Sequence, residues 1–308
     1  MSFNNLGRKI ILGVADNKTV TNFVTKYGMN LGAKRFIAGE SLENSIDVIK
    51  NLNNEGLLVT IDHVGESTSS RDEAIEATEE AIRIFEIIDR FKLNANVSVK
   101  LTQLGLLINK DLCKDNISRI VATAKNYNNF VRIDIEDSPV IQITIDIFRE
   151  VLVAYGKEYV GLALQSYLYR TEEDTIALGD LDVNLRIVKG AYKEPKEVAF
   201  PIKNDVDVNF KKIVRTHLGN GHYTAIATHD EKIIEDIKRF ASENNIANDS
   251  FEFQMLYGVS NVLQRSLVKE GYRVRVYTPY GLHWYPYFSR RIAERPANGL
   301  FVLKGLFN

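Results

Sequence analysis

The chain has 308 residues, 45% of them hydrophobic and 26% charged, with a formal net charge of -1. That length can bury one large core or two ordinary ones, and the composition is globular rather than disordered. The near-neutral balance gives no case for a nucleic-acid or anionic-membrane partner, and a single cysteine, Cys113, excludes an intrachain disulfide framework and suits a reducing compartment.

The first stretch, MSFNNLGRKIILGVADN, has a short apolar run without a convincing signal-peptide core and cleavage site. No run of 18 apolar residues predicts a spanning helix. Residues 1–56 read as a helical segment packed on, or extending from, the rest of the chain. TNFVTKYG and ESLENSIDVIKNLNNEG supply its helices, with Ser41 as a cap. Residues 57–308 then repeat one pattern. Short β-rich runs fall at 57–62, 96–101, 130–136, 160–166, 184–190, 223–228, 251–256 and 274–278. Helical patterns lie between them at 71–92, 114–127, 139–155, about 171–178, 207–218, 231–245 and 257–270, and a last one follows at 284–295. Eight strands alternating with helices predict an α/β protein, a (β/α)8 barrel. An open doubly wound sheet is the runner-up, disfavoured by the count and by the lack of a GxGxxG after an early strand.

In such a barrel the C-terminal strand ends form the active-site face. Polar residues collect there: Asp62, His63 and Glu66 after the first strand; Lys100; Arg132, Asp134 and Glu136; Gln165; Arg186 and Lys189; Thr228, His229 and Asp230; Glu252 and Gln254; Tyr277. Buried polar groups are costly unless they bond one another or a ligand, so eight strands converging on one mouth predict an enzyme. Arg132 and Glu252 are expected to be exceptions that face the helices. In WYPYFSRRIAER, Tyr287, Arg290, Arg291 and Glu294 recur at helical spacing, either as a solvated face or as a paired-arginine clamp for a carboxylate. The five histidines show no metal-ligand spacing, and His217 and His222 read as helix-end or surface residues. On residues alone two chemistries stay open: a lyase using Lys100 as a Schiff-base amine, or a redox enzyme.

LRIVKGAY, ATHD, EFQMLYG, VRVYTPYG and WYPYFSRRIAER, in this order and spacing, resemble the proline dehydrogenase family in its compact monofunctional bacterial form. The resemblance implies a distorted (β/α)8 barrel whose final helix lies over the mouth. It implies oxidation of L-proline to Δ1-pyrroline-5-carboxylate by hydride transfer to FAD, with electrons passed to a membrane quinone. The enzyme would then be cytoplasmic, able to associate peripherally with the inner face of the cell membrane. Another flavin-dependent amine dehydrogenase is the nearest alternative. By the same resemblance Lys100, Arg290 and Arg291 bind the proline carboxylate, Tyr277 and Tyr287 shape the pocket, Asp134 organises it, and Glu66 pairs with Arg290 as a gate. Arg186, Lys189, Gln165, Gly190, Ala191, Tyr192, Thr228, His229 and Glu294 fall on the FAD side. The family often has Asn where this chain has Asp230, a residue expected to cap the next helix instead of touching the cofactor.

Overall fold

Eight parallel strands close on themselves in chain order in a computed structural model that describes residues 32–65 and 67–294, with backbone only at Arg290 and residues 292–294. They are β1 (Leu58–His63), β2 (Ala95–Lys100), β3 (Val131–Asp134), β4 (Val160–Gln165), β5 (Leu185–Val188), β6 (Thr224–Ala227), β7 (Phe251–Leu256) and β8 (Val274–Tyr280). Closure is made by β1 and β8, from Leu58 opposite Arg275 to His63 opposite Tyr280. The helices are α1 (Leu42–Asn54), α2 (Arg71–Phe91), α3 (Lys110–Asn126), α4 (Ser138–Tyr155), α5 (Thr171–Gly179), α6 (Lys203–Gly219), α7 (Glu231–Glu243), α8 (Asn261–Lys269) and α9 (Tyr285–Glu294). This is the (β/α)8 barrel expected from the pattern. The segment TNFVTKYG lies outside the described residues.

Two helices begin earlier than the apolar spacing predicts, α3 at Lys110 and α6 at Lys203. Both helices open on polar residues, Lys110–Asp111 and Lys203–Asp205, which carry no apolar signal. Asn109 nonetheless starts α3 by accepting a hydrogen bond from the Leu112 N–H at 2.9 Å. Ser41 caps α1, accepting from the Asn44 N–H at 3.3 Å. Conversely α8 starts late, at Asn261, because Gly258 and Ser260 both hold positive φ, and a helix cannot pass through that region.

Alternation along the strands separates two environments. Val59, Ile61, Val97, Val99, Ile133 and Val276 face the helices in the main apolar core. Their neighbours face inward, and the inward set is polar: Asp62, Ser98, Lys100, Asp134, Arg186, Gln254 and Tyr277. Arg132 and Glu252 share the parity of Asp134 and Gln254, so the expectation that they face the helices is incorrect. They lie inside the barrel, below the mouth. Glu252 accepts from Arg275 at 2.8 Å and from Tyr223 at 3.2 Å, and Arg132 donates to the Leu162 and Asn184 carbonyls at 3.0 and 2.6 Å. Gly161 makes room for that guanidinium, since a Cβ there would stand 2.6 Å from Arg132 Nη1.

The ring of helices has an unusual seam. The place between β8 and β1 is taken by α1, from early in the chain, which packs against both strands. The last helix is therefore released from the outer ring. In α9 and the turn before it, Trp284, Tyr287 and Phe288 form a second apolar cluster with Ala33, Phe36, Ile37 and Val64. That cluster seats α9 over the C-terminal strand ends. Among the described residues no helix is long and apolar enough to cross a membrane.

Candidate active site

A groove of about 2420 Å³ opens at the C-terminal face. It exceeds the roughly 300–1,000 Å³ typical of a small-ligand pocket. It runs from Asp62, Lys100, Asp134 and Tyr277 at the barrel axis to the loops after β5 and β6, with Pro286, Tyr287 and Arg291 of α9 above.

At the axis, Asp134 is the hub. Its Oδ1 accepts from Ser98 Oγ at 2.7 Å and pairs with Arg186 Nη2. Its Oδ2 accepts from the Tyr277 hydroxyl at 2.9 Å and from Lys100 Nζ at 3.2 Å. Lys100 also donates to Asp62 Oδ1 at 3.0 Å and to the Tyr277 oxygen at 3.2 Å. Burial alone would weaken the Lys100 ammonium, but the charge on Asp62, with Tyr277 beside it, outweighs burial and holds its pKa above the ordinary value. Lys100 is thus a fixed cation. A Schiff-base lysine must present a neutral amine, so this environment argues against the lyase reading. Burial, reinforced by Asp62, pushes the Tyr277 phenol up, keeping it a donor.

Arg186 lies on the other side of Asp134, 4% exposed. Its Nε and Nη1 have no hydrogen-bond partner among the described residues, although the side chain lines the groove. Unsatisfied donors on a buried cation are expensive. An acceptor placed in the groove would satisfy them.

Along the groove, Gln165 ends β4 with its Nε2 fixed on the Glu136 carbonyl at 2.7 Å. The Glu136 carboxyl, its pKa raised by burial, accepts from Thr102 N and Oγ1 at 3.1 and 2.6 Å. Gly190 follows β5 at φ 121°, where a Cβ would meet the Tyr167 ring at 2.3 Å. Only glycine fits that combination of backbone and space. Ala191 and Tyr192 continue the wall. Lys189 donates to Asp230 at 3.2 Å and pairs with Asp207 at 2.5 Å. Thr228 Oγ1 accepts from the Asp230 N–H at 3.1 Å. His229 Nε2 accepts from the Leu256 N–H at 3.0 Å, which puts its proton on Nδ1. Asp230 caps α7 through the Lys232 N–H at 3.2 Å, as expected from its charge.

Overhead, Arg291 stacks on Tyr287, its guanidinium carbon 5.2 Å from the ring centroid. Glu66 and the side chains of Arg290 and Glu294 lie outside the described residues. The structure therefore brings Lys100, Asp134, Arg186 and Tyr277 into one bonded cluster. It sets Tyr287 and Arg291 above it and strings Gln165, Lys189–Tyr192, Thr228 and His229 along one wall. Sequence reasoning missed Ser98, and gave Asp62 no role beyond a polar strand end. Ser98 stands two residues before Lys100 on the same strand, so the alternation itself was the signal. It also missed Asp207 and Lys203, which come from α6 and carry no strand-end mark.

These features define a (β/α)8-barrel enzyme with an elongated groove meeting a compact pocket of fixed charges. Residues 45–304 match the family model described as proline dehydrogenase. Proline dehydrogenase 2 of Bacillus subtilis (strain 168) is 49% identical over 299 residues, covering 97% of this chain and 98% of the relative. Proline dehydrogenase of Deinococcus radiodurans is 44% identical over 306 residues, with 98% of each covered. The crystal structure of proline utilization A (PutA) from Bdellovibrio bacteriovorus, inactivated by N-propargylglycine, superposes with a TM-score of 0.82 at 27% identity; the match covers 89% of this chain and 33% of that one. The chain belongs to the proline dehydrogenase family, and its reaction is the first step of proline catabolism.

Proposed function

We propose that this proline dehydrogenase oxidises L-proline to Δ1-pyrroline-5-carboxylate with noncovalently bound FAD and delivers the electrons to a membrane quinone, associating peripherally with the inner face of the membrane. The observation that supports the cofactor assignment is Arg186, a lining residue of the 2420 Å³ groove with two buried donors unpartnered among the described residues. When bound, FAD supplies the acceptor for the hydride equivalent that leaves proline.

The chain's own residues do the orienting. Arg186 and Gln165 would hold the flavin ring region. Lys189, Thr228, His229 and Glu294 would serve the phosphate and ribose region, with Gly190, Ala191 and Tyr192 forming the wall. Lys100, Arg290 and Arg291 would fix the carboxylate of proline by charge-assisted bonds. Tyr277 and Tyr287 leave room for a compact ring. Asp134 ties Lys100 to Arg186, so the group holding the substrate and the group facing the cofactor share one anchor. Glu66 would pair with Arg290 as a gate. In the reaction a hydride leaves Cδ, the amine loses a proton, and a C=N bond forms between the two atoms. Fixed geometry is the protein's main contribution.

An absorbance spectrum of the purified chain before and after anaerobic L-proline tests substrate and cofactor together. A bound flavin spectrum that bleaches is the expected result, with acid precipitation releasing FAD into the supernatant. Reoxidation by a quinone analogue, but not by NAD, tests the acceptor. Released FMN, or flavin unmoved by proline, would overturn the reading.

A further inference from the structure

The far end of the groove has its charges already paired. Lys189 Nζ lies 2.5 Å from Asp207 Oδ1 and 3.2 Å from Asp230 Oδ2. Lys203 pairs with the other oxygen of Asp207 and comes within 4.0 Å of Asp230. All four line the groove beside Thr228 and His229. The two carboxylates come from different elements, Asp207 from α6 and Asp230 from the entrance to α7, so Lys189 is held between them. Within this quartet two cations meet two anions.

We propose that Asp207 and Asp230 act against cofactor binding and set how firmly this chain holds the diphosphate of FAD, an inference that rests on the cofactor reading above. A diphosphate approaching Lys189 and Lys203 meets the two carboxylates that hold those lysines. It competes for the same ammonium protons and is repelled by both anions. The negative charge of Asp230 is not needed for its local structural task. An Asn side chain caps a helix about as well as Asp, and the cap here runs through the Oδ1 that accepts from the Lys232 N–H. Asp207 sits past the first turn of α6, and its partners are the two lysines. The side chains of Asp207 and Asp230 are 20% and 30% exposed. Solvent and salt therefore moderate the effect without removing it.

The test is a titration of the flavin-stripped full-length chain with FAD and, separately, with riboflavin, which has the ring but no diphosphate. Asp207→Asn and Asp230→Asn keep shape and remove charge. Each is expected to bind FAD about three- to tenfold tighter than wild type at low salt, the size of a partly exposed charge interaction. The gain should shrink at high salt, and riboflavin affinity should stay at the wild-type value. FAD binding that is unchanged or weaker in folded variants would show that the carboxylates organise the lysines instead of opposing the ligand, and would overturn the proposal. Equal tightening toward riboflavin would also overturn it, since the effect would not lie at the diphosphate. A wild-type chain that takes up riboflavin or FMN but not FAD would instead remove the cofactor reading on which the proposal stands.

Discussion

Arg291 stacked on Tyr287 above the mouth is the described half of the proposed carboxylate clamp. A charge-assisted bond lost inside a closed pocket costs roughly 2–5 kcal/mol, or about one to four decades in kcat/KM. Arg291→Met and Arg290→Met should each fall in that range while retaining flavin, measured by rapid-mixing flavin reduction across a proline series. A flavin-loaded variant within about twofold of wild type, against the decades expected of a buried ion pair, would reassign the clamp to Lys100 and the other arginine. A second residue acts on stability. His217 sits in the last turn of α6 but is buried, so the surface alternative is incorrect for it. Its Nδ1 meets Thr224 Oγ1 at 2.8 Å. Burial first, then His222 and Arg132, lower its pKa from 6.5 to about 3. The unfolded chain therefore binds the extra proton below pH 6.5 while the folded chain does not. Stability is full above that pH and falls as pH drops, by up to about 1.4 kcal/mol per pH unit. Urea midpoints for wild type should drop between neutrality and about pH 5, and His217→Gln should remove up to about 2 kcal/mol of that loss. Equal slopes in both proteins would clear His217 of the effect. The mouth residues were legible because most of them lie at or just past the C-terminal strand ends. Ser98, one step of the alternation deeper, was marked only by its parity with Lys100, and Asp207, on a helix, carried no mark, because sequence separation hides what a closed barrel brings together.

At the scale of elements, the end of β5 is the most constrained turn in the groove. Gly190 and Gly221 both hold positive φ, but a Cβ on Gly190 meets the Tyr167 ring at 2.3 Å, whereas one on Gly221 has nothing within 4 Å. Gly190→Val should therefore displace Tyr167 and lose flavin, read as the ratio of flavin to protein absorbance. Gly221→Ala should cost only the backbone penalty, about 1–2 kcal/mol in thermal stability, with full flavin content. Equal behaviour would show that φ, not the contact, makes Gly190 necessary. The strands themselves were readable from β-branched runs. The inward face was legible as well, because inward residues such as Asp134 and Gln254 are polar while their strand neighbours are apolar. Arg132 and Glu252 share that inward parity, and the expectation that they face the helices departs from it.

Across the whole molecule, the seam between β8 and β1 depends on α1. Ile49 of this helix is fully buried in the main core. Ile49→Ala should destabilise the fold by about 2–5 kcal/mol, read from urea unfolding by circular dichroism. The flavin spectrum of the folded variant should be unchanged, since α1 lies on the outer ring. A loss of flavin before unfolding would tie the seam to the groove. The order of eight strands was legible in the sequence, but the substitution of an early helix for the last one at the seam was not. Local patterns report that a helix exists and which stripe is apolar; they do not report which gap in a ring it fills.

The seat of α9 also gives the molecule a built-in optical probe. Trp284 is the single tryptophan in the chain, fully buried and edge-on to Phe288 with ring centroids 5.5 Å apart. All indole emission therefore originates at the anchor of the roof, in the cluster with Phe36 and Val64 and apart from the barrel core. A red shift without loss of ellipticity would mark the roof lifting from an intact barrel. No label is required, and no second indole confuses the signal.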